Sequence, residues 1–114
     1  GKILLLVSSM TVSAGDDMVC LMRDYPNVEV MGFTESNNSC QAVSALELKE
    51  GSLAFSTVPN LLPNGEVAID TFADRVSRIP VDERVAFDGE VIRAIFDRGE
   101  DYLMQYALNS LSSD

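Results

Sequence analysis

Five consecutive aliphatic residues near the start of the chain constrain the fold more than any other stretch. The run Ile3-Leu4-Leu5-Leu6-Val7 is followed directly by the hydroxyl-rich Ser8-Ser9. A strand with one face in water alternates apolar and polar residues, so an unbroken run indicates a strand covered on both faces. We therefore expect a central strand with helices packed on each side of its sheet.

The residues after this strand predict a strand–helix–strand unit. Ser13 and Asp16 have the spacing of a capping box, which predicts that a helix begins there and ends before Pro26. A second strand is expected over residues 28–33. Two strands joined by a helix over about thirty residues form a βαβ unit, which predicts parallel pairing.

The middle of the chain is read as one helix followed by strands. A helix is predicted from Cys40 to Lys49 and a strand over 53–58. Pro63-Asn64-Gly65 is a tight-turn pattern that predicts an antiparallel hairpin at the sheet edge, with a returning strand over 66–72. A short strand over 76–79 and a helical turn over 80–87 complete this region.

The C-terminal residues predict the clearest helix, over 88–111. Apolar residues recur there at three- and four-residue spacing, opposite a charged face. Gly99 lies on the apolar stripe, and we expect a continuous helix, straight or kinked at that glycine.

Together these elements predict an α/β fold of three layers. Its sheet is mixed, mainly parallel, and has four or five strands, of which the βαβ unit supplies the first two. An antiparallel hairpin lies at the sheet edge, and a long helix follows at the C-terminus. Residues 1–114 are expected to form one domain, with a radius of gyration of about 13 Å.

The charge balance excludes some classes of partner. The chain has 18 acidic residues against 8 basic ones, a formal net charge of −10. Such a surface repels nucleic-acid phosphates and anionic membranes, so neither is expected as a partner. Another protein with a basic surface is the expected partner.

Cys20 and Cys40 fall on predicted helices as free thiols, which fits a reducing compartment and predicts a cytoplasmic location.

The residue types that catalysis most often uses are scarce. The chain has no histidine, no CxxC pair and no glycine-rich phosphate-binding pattern. The two cysteines are nineteen residues apart, which disfavours a zinc or iron–sulfur site. We therefore expect no cofactor, no metal site and no catalytic residue set.

The loop after the first strand is the candidate ligand site. Open α/β folds bind ligands at the carboxyl ends of their strands, and helix N-termini attract anions. Four hydroxyl residues could bind a phosphate or carboxylate there, and an acid after the second strand could hold a ribose: Ser8, Ser9, Thr11, Ser13 and Glu35. The alternatives are an ordinary hydroxyl-rich turn, since Asp16 and Asp17 would repel an anion, and a solvated loop acid.

The apolar face of the C-terminal helix is the candidate interaction surface. Its members are Ile92, Phe96, Leu103, Met104 and Leu108. The stripe is broad for a small domain, so part of it is expected to contact a second copy or another protein. The alternative is ordinary core packing.

Two functions follow from these features. The first is a non-enzymatic protein–protein interaction or regulatory module with an acidic surface, acting as a homo-oligomer. The alternative is a small-ligand domain or minimal enzyme that uses the Ser8–Gly15 loop on a nucleotide or phosphorylated metabolite.

Overall fold

The computed structural model describes residues 1–37, 41–59, 61, 64–65 and 80–112. In chain order its elements are β1 (Ile3–Val7), α1 (Ala14–Met22), β2 (Val28–Gly32), β3 (Gln41–Leu48), β4 (Gly51–Pro59), β5 (Glu83–Arg84), α2 (Gly89–Ile92), a π-helical segment (Arg93–Asp97) and α3 (Tyr102–Ser112). The described strands form a three-stranded parallel sheet and an antiparallel hairpin. The fold is therefore mixed α/β with a C-terminal helix, while a single sheet of four or five strands is not confirmed.

The predicted βαβ unit is confirmed. β1 and β2 pair in parallel, from Ile3 opposite Val28 to Val7 opposite Gly32. α1 follows Ser13 and connects the two strands. The aliphatic run and the flanking turn residues were sufficient to predict this unit because both strands and the helix are short and locally specified.

The expected central position of β1 is wrong for the described sheet. The strand order is β1-β2-β5, so β2 lies in the middle, and Val30 and Met31 of β2 are completely buried. β5 lies within residues predicted as a helical turn. That segment is extended because Asp82 accepts a bond from the Val30 amide through Oδ2 at 2.8 Å and donates its own amide to the Val30 carbonyl at 2.8 Å.

The prediction that β1 is covered on both faces is confirmed. Leu5 and Val7 pack in one cluster with Val19 of α1, whereas Leu4 and Leu6 pack in a second cluster with Ala107 of α3. The sheet therefore lies between α1 and α3. The apolar run explains this arrangement, since both faces of the strand carry apolar side chains that pack on a helix.

The helix predicted from Cys40 to Lys49 is wrong. Residues Gln41–Leu48 form strand β3, which pairs with β4 in antiparallel register from Leu48 opposite Gly51 to Gln41 opposite Pro59. Apolar residues in this stretch fit a period of two as well as a helical period. Pairing with the strand-forming residues of β4 decides between the two, and residues 49–50 form the turn.

The long C-terminal helix is also corrected, because it breaks at Gly99. Gly99 has a φ of 67°, in the left-handed region where a helix ends rather than continues. Asp88 caps the first segment by accepting bonds from the amides of Glu90 at 2.9 Å and Val91 at 3.1 Å. Asp101 caps α3 in the same way, accepting from the Met104 amide at 3.1 Å.

The chain is less compact than expected. The radius of gyration of its Cα atoms is 17.3 Å, against the predicted value of about 13 Å. One face of the β3–β4 hairpin carries large apolar side chains that remain roughly half exposed, namely Leu46, Leu48, Leu53 and Phe55.

The predicted strands over 66–72 and 76–79 lie outside the described residues. No helix in the described part of the chain has the length and apolar character needed to cross a membrane.

Candidate functional site

The candidate site is the loop between β1 and α1, at the carboxyl edge of the parallel sheet. Two hydroxyl groups hold the loop in shape from within. Thr11 Oγ1 accepts from the Ser8 amide at 3.1 Å, and Ser8 Oγ accepts from the Met10 amide at 3.1 Å. The Thr11 amide donates to the Ser8 carbonyl at 2.9 Å. Ser8 and Thr11 therefore act first as structural residues of the loop.

The segment that follows β2 is hydrogen-bonded to this loop. Thr34 Oγ1 accepts from the Ser9 amide at 2.9 Å, and the Asn37 amide donates to the Thr11 carbonyl at 2.9 Å. Asn37 Nδ2 also donates to the Ser9 carbonyl at 3.3 Å. The two loops at the ends of adjacent parallel strands thus form one hydrogen-bonded unit. Thr34 and Asn37 were not among the predicted site residues.

Ser13 has a backbone conformation that side-chain-bearing residues rarely adopt. Its φ is 56° and its ψ is −117°, and within the described ranges it is the one non-glycine residue with positive φ. The Gly15 amide donates to the Val12 carbonyl at 3.0 Å, which closes a tight turn with Ser13 at its first central position. These angles are those of a type II′ turn, where glycine is preferred. Holding serine there costs roughly 1–3 kcal/mol.

The turn also brings the residues on either side of Ser13 close together. A Cβ atom added to Gly15 would lie 2.9 Å from Cγ2 of Thr11. A side chain at position 15 would therefore require the Thr11 methyl group or the turn to shift. A nucleophile elbow places its serine on a sharp strand-to-helix turn in the pattern G-x-S-x-G. Gly15 matches the second glycine of that pattern, whereas Thr11 stands at the first and residues 8–13 lie between β1 and α1. The Ser13-Ala14-Gly15 spacing was the sequence pattern that could have indicated it.

Ser13 is exposed at the start of α1, and the capping box predicted for it is not formed as expected. Its side chain makes no capping hydrogen bond to the helix, although its carbonyl accepts from the Asp17 amide at 3.0 Å. Asp16 is completely buried in the first turn. The Ala14 amide lies in that same first turn, where amides have no intrahelical acceptor and can serve an oxyanion.

Glu35 does not join the Ser8–Gly15 loop as a free carboxylate. Its Oε1 accepts from Arg84 Nη2 at 2.8 Å, which links the segment after β2 to β5. Both side chains are partly exposed, so this ion pair contributes at most about 1 kcal/mol. The Glu35 carboxylate, which was predicted to hold a ribose, is therefore paired with Arg84.

Cys20 lies on the inner side of α1 rather than in the site. It packs on the cluster formed by Val7, Val19 and Val30 and is a free thiol. Burial raises the pKa of this thiol above its ordinary value, more than Arg23 lowers it. A thiol with a raised pKa is a poor nucleophile at neutral pH, so Cys20 is a packing residue. Cys40 lies outside the described residues.

The predicted interaction face on the C-terminal helix is divided. Ile92 and Phe96 precede the break at Gly99, and Phe96 is 73% exposed. Met104 and Leu108 on α3 are about half exposed, whereas Leu103 packs on the cluster that contains Met31. Because the helix breaks at Gly99, these five residues lie on separate helical segments rather than along one helix.

Metal ligands are not grouped in the part of the chain that the structure describes. No set of three or more histidine, cysteine, aspartate or glutamate side chains is close enough there to hold an ion.

The chain is similar to a solved structure, while no protein-family model and no curated protein sequence matches it. A crystal structure from Parabacteroides merdae ATCC 43184, described as a "putative peptidase", superimposes with a TM-score of 0.69 and 28% sequence identity. The match covers 96% of this chain and 31% of that chain. The chain therefore spans about a third of the length of that protein.

Proposed function

We propose that this chain carries the nucleophile of a serine hydrolase that cleaves peptide bonds, and that Ser13 is the nucleophile. The observation that carries the proposal is the conformation of Ser13, an exposed serine held at φ 56° on the turn from β1 into α1. Strain of this kind is retained where the surrounding structure needs one side chain in a fixed position. The likeness to the Parabacteroides merdae protein supports a peptidase as the type of hydrolase.

The reaction follows from the positions of Ser13 and Ala14. Ser13 Oγ bonds to the carbonyl carbon of the peptide, and its proton passes to a general base. The amide of Ala14 stabilises the resulting oxyanion. The C–N bond then breaks and the departing amine takes the proton from the base. The same base then deprotonates a water molecule, which attacks the carbonyl carbon of the ester. As the ester bond breaks, the base returns that proton to Ser13 Oγ.

Histidine, the most frequent general base, is not available to Ser13 from these 114 residues. The chain contains no histidine and two lysines. Lys2 Nζ pairs with Glu29 Oε2 at 3.0 Å, at the end of β1 opposite to the site, and Lys49 lies in the turn of the β3–β4 hairpin.

A fluorophosphonate probe tests this proposal on the protein at its natural length. The probe phosphonylates an activated serine with loss of fluoride, and we expect the adduct on the peptide that contains Ser13. Ser13→Ala should abolish labelling, whereas Ser52→Ala, which alters an exposed serine of the hairpin, should leave it unchanged. Labelling that persists in Ser13→Ala, or its absence from the unaltered protein, would reject Ser13 as a nucleophile.

A second proposal is the acidic interaction module. It is favoured by the half-exposed apolar face of the β3–β4 hairpin and by the net charge of −10. On this proposal the chain is a homo-oligomer or binds a basic protein in the cytoplasm. Light scattering at low and high salt tests it: a mass above that of the monomer, or binding to a basic partner that weakens steeply with salt, is expected. A monomer that binds no basic protein would reject it.

A further inference from the structure

Asn64 and Gly65 form an exposed pair that is chemically reactive. Asparagine is followed by glycine at this one position of the 114 residues. Both residues are exposed, and Gly65 has a φ of 85°, which glycine adopts without strain. Among the described residues, no atom lies within 4 Å of a Cβ atom built on Gly65. The described part of the chain therefore leaves open space beside the Gly65 backbone.

The pair has the atoms for an intramolecular substitution. A bond between the backbone nitrogen of Gly65 and Cγ of Asn64 closes a five-membered ring. Glycine lacks the Cβ atom that crowds this nitrogen in every other residue type. Asn64 Nδ2 then leaves as ammonia, taking up the proton that the Gly65 nitrogen has lost, and a succinimide remains.

We propose that Asn64 is a site of spontaneous deamidation and isoaspartate formation. Water adds to either carbonyl carbon of the succinimide, and a proton passes to the ring nitrogen as the carbon–nitrogen bond breaks. Opening at Cγ gives aspartate at position 64, whereas opening at the backbone carbonyl gives isoaspartate, whose main chain passes through Cβ and Cγ. Both products add one negative charge to the net charge of −10. Water is the co-reactant, so the reaction does not depend on the proposed hydrolase function.

Asn27 shows what opposes the same reaction elsewhere in the chain. Its Nδ2 donates to the Gly1 carbonyl at 2.9 Å. The nitrogen that would attack its Cγ belongs to Val28, and that amide donates to the Tyr25 carbonyl at 3.0 Å. Val28 is also β-branched, which adds bulk next to its backbone nitrogen. Asn64 is therefore the expected site of reaction, and Asn27 is an internal control.

Peptide mass spectrometry tests the proposal after the protein at its natural length has been incubated at mildly alkaline pH. Deamidation raises the mass of a peptide by the difference between an acid and an amide. The succinimide route is recognised by two products of equal mass, aspartate and isoaspartate, which separate on chromatography. We expect both products at position 64, formed at least tenfold faster than any product at Asn27. A smaller ratio, or aspartate without isoaspartate at position 64, would overturn the proposal.

Two variants test the chemistry. Gly65→Ala should slow the reaction at least tenfold, because the alanine methyl group crowds the attacking nitrogen, and an unchanged rate would overturn the proposal. Alanine is strained at a φ of 85°, so Asn64→Gln is the second variant, which keeps Gly65 in place. It should yield no deamidation at position 64, since glutamine would have to close a less favourable six-membered ring. Deamidation as fast as that of the unaltered protein would contradict the ring mechanism.

An unfolded sample tests the part that the structure contributes. Because the turn is exposed, the deamidation rate at Asn64 in the folded protein should lie within tenfold of its rate in guanidinium. A folded rate below that range would show that the turn prevents ring closure, and the proposal would then be wrong for the native protein.

Discussion

Thr34 Oγ1 accepts a 2.9 Å hydrogen bond from the backbone amide of Ser9, across twenty-five residues of sequence. The bond joins the loop after β1 to the loop after β2. Asn37 adds two further bonds to the same loop. The carboxyl ends of two parallel strands are adjacent by topology, and these bonds fix the loop after β1 at Ser9 and Thr11.

Removing the Thr34 hydroxyl should destabilise the protein by about 1 kcal/mol, because the Ser9 amide loses its acceptor. Thr34→Val keeps the side-chain volume and removes only the oxygen. Thr34→Ser keeps the oxygen and should retain most of the stability. Urea unfolding of both variants measures the difference. Equal free energies of unfolding for Thr34→Val and the unaltered protein would show that the bond contributes nothing.

The pH dependence of Tyr106 provides a prediction at the other face of the sheet. Its hydroxyl donates to Glu83 Oε1 at 2.6 Å, and this bond, with the negative charge of Glu83, raises the tyrosine pKa. A folded pKa above the unfolded value means that the stabilisation is complete below about pH 10 and is lost as pH rises through the folded pKa.

Absorbance at 295 nm measures this shift directly. The chain has three tyrosines, and we expect Tyr106 to ionise at a higher pH than an unperturbed tyrosine. Glu83→Gln removes the charge and should move that ionisation to lower pH. Superimposable titration curves for the two proteins would contradict the assignment.

Gly99→Ala should destabilise the C-terminal region by about 1–2 kcal/mol, because a Cβ atom at φ 67° strains the left-handed conformation. Gly89→Ala is the matched control: its Cβ would meet only Arg93 Nη1, at an ordinary 3.7 Å. That change lies at the start of α2 and should be neutral or stabilising. Thermal unfolding of both variants tests the pair. A stabilised Gly99→Ala would indicate that the helix can continue through residue 99.

The fold was predictable where a local sequence pattern favours a single type of secondary structure. The aliphatic run of β1 predicted a strand covered on both faces, and α1 (Ala14–Met22) lies within the limits predicted from Ser13 and Pro26. Residues 41–48 fit two periods, and the choice of strand was made by pairing with β4, which lies outside any local window. Gly99 was recognised as a weak point of the helix, but Asp101 was not recognised as the cap of a new one.

The candidate site was predictable in place but not in chemistry. The rule that ligands bind at the carboxyl ends of parallel strands located the Ser8–Gly15 loop. The hydroxyls of Ser8 and Thr11 were expected to bind a ligand, yet they accept bonds from their own loop. The positive φ of Ser13 is a property of the folded loop, whose neighbours Ser9 and Thr11 are held by Thr34 and Asn37, and in the sequence only the Ser-x-Gly spacing points to it.

The close approach of Gly15 to Thr11 gives a double-substitution test of the Ser13 turn. Gly15→Ala places a Cβ atom 2.9 Å from Thr11 Cγ2, so the Thr11 side chain or the turn has to shift, and we expect a loss of about 1–3 kcal/mol. Thr11→Ser removes that methyl group and keeps Oγ1, which accepts from the Ser8 amide.

The double variant Gly15→Ala with Thr11→Ser should therefore be at least as stable as Thr11→Ser alone, because alanine also favours the first turn of α1. Urea unfolding gives the four free energies of the cycle. On the hydrolase proposal, fluorophosphonate labelling of Ser13 should fall in Gly15→Ala and return in the double variant. A Gly15→Ala cost that Thr11→Ser does not relieve would show that the cost does not arise from contact with the Thr11 methyl group.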